Sequence, residues 1–223
     1  MGFAVLFSTT VQTIPGLPEE SSDAAYTAEA GQPPSGRVDE IRLSGDITMW
    51  FVIVLEMFTF GLLFVVYAFA RAKDPAMFRA GQSSLDLRQG AINTVILLTG
   101  SWCVARGVHA LRSSRVNTGA RWLWSAAALG IAFLLVKGLE YKQKLRAGYD
   151  MSSDDFWMFY YLLTGFHFMH VAAAVLIVAA IAFLVPRRQW TATDTQAPET
   201  AAVFWHMVDL LWVVLFPLVY VLR

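Results

Sequence analysis

The chain has 223 residues, 57% of them hydrophobic and only 15% charged, whereas a soluble domain runs about 45–50% apolar and about 25% charged. Both departures point to a protein whose solvent is lipid. The 17 basic and 17 acidic residues cancel, so nothing in the charge balance points to nucleic acid; the single Cys103 excludes a disulfide framework and a four-cysteine metal site, and 4 histidines are too few for several haems and a copper.

In chain order, residues 1–45 come first. Pro15, Pro18, Pro33 and Pro34 lie there among Glu, Asp, Ser and Gly, so the segment cannot bury enough apolar area to offset its ordering entropy and reads as a flexible polar tail. Residues 1–14 lack the basic start and cleavage site of a signal peptide, and Leu6 stands where a myristoylation motif needs Ser or Thr.

A bilayer core about 30 Å thick needs roughly 20 apolar residues in a helix. Five stretches qualify, at about 47–70, 91–111, 122–141, 156–185 and 201–222. Their apolar runs are continuous rather than alternating, which argues for helices over barrel strands. The expected fold is all-α, a five-helix transmembrane bundle occupying residues 46–223. The fourth run is long enough to tilt or protrude. Aromatic residues gather at span ends, among them Trp122, Trp124, Phe156, Trp157, Tyr160, Tyr161 and Trp205, and are expected in the interfacial belts. Gly165 and a series of alanines on the fourth span are expected to let it pack closely. Lys and Arg divide evenly between the two sides, so charge alone does not orient the chain.

Ionisable groups at bilayer depth are costly and call for a reason. Glu56 sits near the middle of span 1. It reads as a proton-relay or lipid-headgroup contact, or as a neutral, hydrogen-bonded acid that fixes packing. His167 and His170 are three apart on span 4, and His206 and Asp209 repeat that spacing on span 5. A metal or haem site is one reading. An interhelical hydrogen-bond network orienting spans 4 and 5 is favoured, because further convergent ligands are lacking. Lys137, Glu140 and Lys144 have helical spacing at the end of span 3 and are expected to form an interfacial ion-pair cluster with snorkelling lysines. Arg106 and His109 occupy the end region of span 2, where an arginine holds lipid phosphate or reaches the headgroups. There is no phosphate loop, nucleophile elbow or HExxH motif. A small proton-coupled transporter carrying protons on Glu56 is an alternative, but neither repeats nor Gly/Pro-broken helices are evident.

The polar landmarks, in order, resemble the subunit III family of haem-copper oxidases. Glu56 lies in Leu-Glu-Met-Phe-Thr-Phe-Gly, similar to the family's Ser-Glu-x-x-Phe-Phe-x-Gly. Asn93 begins Asn-Thr-Val-Ile-Leu-Leu, similar to its Asn-Thr-x-x-Leu-Leu run. Glu140-Tyr141 matches its Glu-Tyr, and Thr164-Gly165-Phe166-His167-Phe168-Met169-His170-Val171 is close to Thr-Gly-x-His-x-x-His-Val. Trp205-His206-Met207-Val208-Asp209-Leu210-Leu211-Trp212 is close to Trp-His-x-Val-Asp-x-x-Trp. The resemblance implies a non-catalytic subunit that binds no haem or metal itself, holds phospholipid and flanks a haem-copper catalytic subunit carrying those cofactors. It implies that Glu56 matches a carbodiimide-reactive glutamate, and that the histidines and Asp209 match packing and lipid-contact positions. It also implies a bacterial cytoplasmic membrane, with the N-terminus in the cytoplasm. Five spans rather than seven resemble bacterial quinol-oxidase members, and the ending Leu215-Phe216-Pro217-Leu218, with Lys137-x-x-Glu140-Tyr141-x-x-Lys144-Leu145 and Phe156-Trp157-Met158-Phe159-Tyr160-Tyr161, resembles the NorE-type branch that accompanies nitric oxide reductases. A cytochrome c or quinol terminal oxidase is the alternative partner.

Overall fold

The computed structural model describes residues 47–187 and 195–222. The expected polar tail lies outside the described residues. Five long helices carry the chain across the membrane: α1 (Ile47–Lys73), α3 (Leu87–Arg112), α4 (Val116–Arg146), α5 (Asp155–Leu184) and α6 (Gln196–Phe216). A short helix, α2 (Pro75–Ser83), joins α1 to α3. The chain extends α5 by a 3₁₀ turn, Val185–Arg187, and α6 by a π turn, Pro217–Val221. Among the described residues there is no strand.

Local chemistry sets the boundaries. Asp74, Asp86 and Asp154 cap α2, α3 and α5, each accepting a backbone N–H from the first turn. Pro75 opens α2, where a missing N–H costs nothing. α4 runs well past the expected 122–141 at both ends, because Arg121, Lys142, Lys144 and Arg146 are good helix formers that reach water beyond the hydrocarbon. Gly148, at φ +85°, terminates the turn after α4 in a conformation that suits a residue without Cβ. In the loop that follows, Asp150 accepts hydrogen bonds from the Ser152 N–H and hydroxyl and from the Ser153 hydroxyl. Those bonds, the Ser152 hydroxyl first, hold its carboxyl below the usual carboxylate range.

Helices α3, α4, α5 and α6 form a closed ring in which each packs on its neighbours. Helix α1 lies outside it, against α5 and α6. Only 6% of the most apolar stretch of α1 is buried, against 56% for α6. Lipid is as apolar as leucine, so close packing rather than burial from water must join these helices. Gly130 of α4 supplies one close approach: a Cβ there would collide with Val175 of α5 and lie 2.9 Å from Trp205 of α6. Gly165, expected to serve this purpose, has nothing near its Cβ position. The aromatic belt is also thinner than expected. Trp102 and Trp124 face outward, but Phe156, Trp157, Tyr160 and Trp205 are buried and pack the bundle itself.

Candidate functional site

Near one end of the bundle, the Lys137-x-x-Glu140 spacing on α4 puts an amine and a carboxylate side by side, with Lys137 Nζ 3.2 Å from Glu140 Oε2. Both are buried, at 0% and 2% exposure. The expectation of a snorkelling interfacial lysine is therefore overturned. The reason is tertiary: Tyr160 from α5 and Tyr220 from the π turn close over the pair. Lys137 donates to both phenol oxygens, and both phenols donate onward to Glu140 Oε1, at 2.6 Å and 2.7 Å. The rings of Tyr141, Tyr160, Trp212 and Tyr220 surround the ammonium. Lys144 does not pair with Glu140 either; it donates to the Ser84 carbonyl at 2.5 Å.

A second polar knot anchors the same end. Gln82 of α2, fully buried, donates to the Leu218 carbonyl at 3.2 Å, and Tyr67 of α1 reaches the same oxygen. The π turn leaves that carbonyl accessible. Thus α1, α2 and α4 grip the C-terminal turn through polar side chains, and α5 joins them through the bonds of Tyr160 to Lys137 and Glu140. Sequence reasoning assigned no such role to Lys137, Tyr160, Tyr220 or Gln82; the Lys-x-x-Glu spacing was the only signal on one segment.

The two histidines of α5 diverge. His167 is wholly buried between Phe133 of α4 and Trp212 of α6, and neither ring nitrogen has a hydrogen bond. His170, one turn on, faces α1. Its Nε2 lies 3.2 Å from Glu56 Oε2 and its Nδ1 lies 2.8 Å from the Phe166 carbonyl. The Nε2–Oε2 approach is too bent to count as a hydrogen bond. It is an electrostatic contact with 12% of the His170 side chain and 23% of the Glu56 side chain exposed. The network expected to join spans 4 and 5 is thus replaced by a link from α5 to α1.

His206 and Asp209 also separate. His206 is exposed, and its Nδ1 meets the Ser101 hydroxyl of α3 at 2.6 Å. The carboxylate one turn away is not its partner. Asp209 is buried and neither oxygen has a hydrogen bond, nor does the indole N–H of Trp205. Ser101 and Trp205 face that carboxyl without reaching bonding geometry.

The remaining candidates stand apart. Asn93 is fully buried with neither amide atom paired. Arg106 is exposed at the other end of the bundle and lies about as far from Trp102 as from Trp122, 6.0 Å and 5.9 Å from the ring centres. His109 is exposed beside it on α3. Among the described residues no three His, Cys, Asp or Glu side chains converge as a metal site. The arrangement therefore comprises a sealed charge cluster joining several elements and two mid-depth polar pairs, Glu56–His170 and Ser101–His206, nearer the outer surface.

Residues 46–223 match the family described as Cytochrome c oxidase subunit III. The chain is 32% identical to a cytochrome c oxidase subunit 3 from Synechocystis sp., covering 96% of this chain and 92% of that one. It is 30% identical to one from Thermostichus vulcanus over 76% and 83% of the two chains. It is 25% identical to a probable cytochrome c oxidase subunit 3 from Mycobacterium bovis over 87% and 97%.

Proposed function

The chain belongs to the cytochrome c oxidase subunit III family and is a multi-pass membrane protein; from that premise we propose that it is the non-catalytic third subunit of a bacterial haem-copper terminal oxidase. The observation that carries this reading is the family match, which spans all five membrane helices. On this reading the chain binds no haem or copper, which reside in the catalytic subunit. It supports that subunit by packing against it and retaining phospholipid in the cytoplasmic membrane, with its N-terminus in the cytoplasm. Glu56 and His170, touching at mid-depth and partly open to the surface, form a protonatable pair serving proton access to the partner. Family membership favours this reading over a proton-coupled transporter.

A nitric oxide reductase is the second reading of the partner, supported by the Leu215-Phe216-Pro217-Leu218 ending that resembles the NorE-type branch. The relatives described above favour the oxidase. The test is affinity capture of the tagged chain from its native membranes, followed by turnover assays. Captured haem protein that consumes oxygen supports the oxidase reading, and preferential consumption of nitric oxide replaces it with the second.

A further inference from the structure

We propose that the outer seam of α3 and α6, centred on Ser101 and His206, is the surface that docks an outer transmembrane helix of the haem-bearing catalytic subunit, which presents a hydrogen-bonding side chain to it. This rests on the subunit reading above and adds the face used.

Ser101 lies in the central third of α3, and His206 in the central third of the last membrane helix and its π turn. At that depth lipid offers only hydrocarbon, and an imidazole that faces it lacks partners for its second nitrogen. His206 is nevertheless exposed, and its one hydrogen bond among the described residues is Nδ1 to Ser101. Lipid headgroups are confined to the bundle ends, so phospholipid cannot satisfy it.

Behind the histidine lies unmet bonding capacity. Both Asp209 oxygens and the Trp205 N–H are buried and unpaired. The Ser101 hydroxyl is the shared element, facing Asp209 while bonded to His206. It has one proton to donate, so whether that proton serves Asp209 or His206 Nδ1 depends on the imidazole tautomer. A partner side chain that engages His206 Nε2 fixes the imidazole tautomer and thereby decides where the Ser101 proton goes.

The Glu56–His170 pair differs. Glu56 and His170 turn towards each other and are largely covered. The Ser101–His206 pair is the one whose histidine opens outward. On the same two helices, Leu98 of α3 and Leu210 and Val213 of α6 are exposed large apolar side chains. An apolar face with a polar group on it is the pattern that lets one membrane helix recognise another.

A photoreactive phenylalanine analogue placed at Leu98 or Leu210, in full-length chain in native membranes, tests the proposal. Leu135 and Leu139 on α4, also exposed, are the controls. The expected result is crosslinking to the catalytic subunit from Leu98 and Leu210, with the α4 positions at least fivefold weaker. Crosslinks from Leu98 and Leu210 only to lipid, or only to a second copy of this chain, overturn the proposal. So does a catalytic-subunit crosslink confined to α4. In parallel, His206→Leu is expected to lower capture of the catalytic subunit at least tenfold while the thermal midpoint of the isolated chain stays within 2–3 °C, and His206→Gln to restore part of the capture. Undiminished capture by His206→Leu overturns the proposal. A wild-type chain that captures no haem protein at all defeats the subunit reading; capture with crosslinks from the wrong helix defeats only the face.

Discussion

Two acid–base pairs in this molecule have nearly the same chemistry and opposite surroundings. Lys137 and Glu140 are sealed at 0% and 2% exposure, with phenols from two other elements in the bonds around them. Glu56 and His170 touch at the same 3.2 Å separation but keep 23% and 12% of their side chains open. The sealed pair has no route for exchange with the surroundings, so its work is to hold α4, α5 and the C-terminal turn in register. The open pair joins only α1 and α5. Burial and the two phenols that bond Glu140 Oε1, rather than residue type, separate the two pairs.

The largest effect is expected from breaking the sealed pair. Glu140→Gln leaves an uncompensated buried ammonium, a change that costs about 3–5 kcal/mol. Thermal unfolding in detergent should show a large drop, and replacing both partners, Lys137→Met with Glu140→Leu, should recover more than half of it. A Glu140→Gln protein as stable as wild type would erase the distinction between the pairs.

Glu56→Gln is expected to cost less than Glu140→Gln, because glutamine keeps the shape of the side chain and the Glu56–His170 approach is not a hydrogen bond. Its signature should instead lie in the pH dependence of turnover of the captured complex. Unchanged turnover across pH would reduce the open pair to packing. A smaller stability effect is expected from His167→Phe. The ring is buried with both nitrogens unpaired, so removing them returns the desolvation penalty, while the modest change of shape costs something in repacking. The unfolding midpoint should stay within about 1 kcal/mol of wild type. A large loss would mean that His167 has a polar partner after all.

The smallest effect belongs to Asp150, the solvated extreme of the comparison. Its hydrogen bonds to Ser152 and Ser153 hold its carboxyl below the usual range, so their contribution is fully present above the ordinary aspartate pKa of about 4. It is lost as pH falls through the lowered value. Protection against hydrogen exchange in the loop 147–154, relative to the intrinsic rate at each pH, should therefore fall below about pH 4, and Asp150→Asn should remove that pH dependence.

The five spans were legible because hydropathy and length suffice to find them, and the structure adds only their charged extensions and α2. Helix α2 escaped notice because nine residues with a mixed pattern give no strong period. The site was legible as a set of residues but not as a set of contacts. Spacing of three correctly marked His167 and His170 as neighbours on one helix. It could not show that the first points at Trp212 and the second at Glu56. Lys137 was misjudged for the same reason: its cover comes from Tyr160 and Tyr220, 23 and 83 residues away. No local pattern encodes that convergence.

The central claim is that this chain supports a haem enzyme without holding haem. The most direct measurement is the visible spectrum of the tagged chain captured from native membranes, recorded before and after the captured complex is dissociated. The account requires a haem protein in near-stoichiometric amount, with all haem absorbance leaving with the partner. A haem band that stays with this chain, or capture of no haem protein at all, would contradict it.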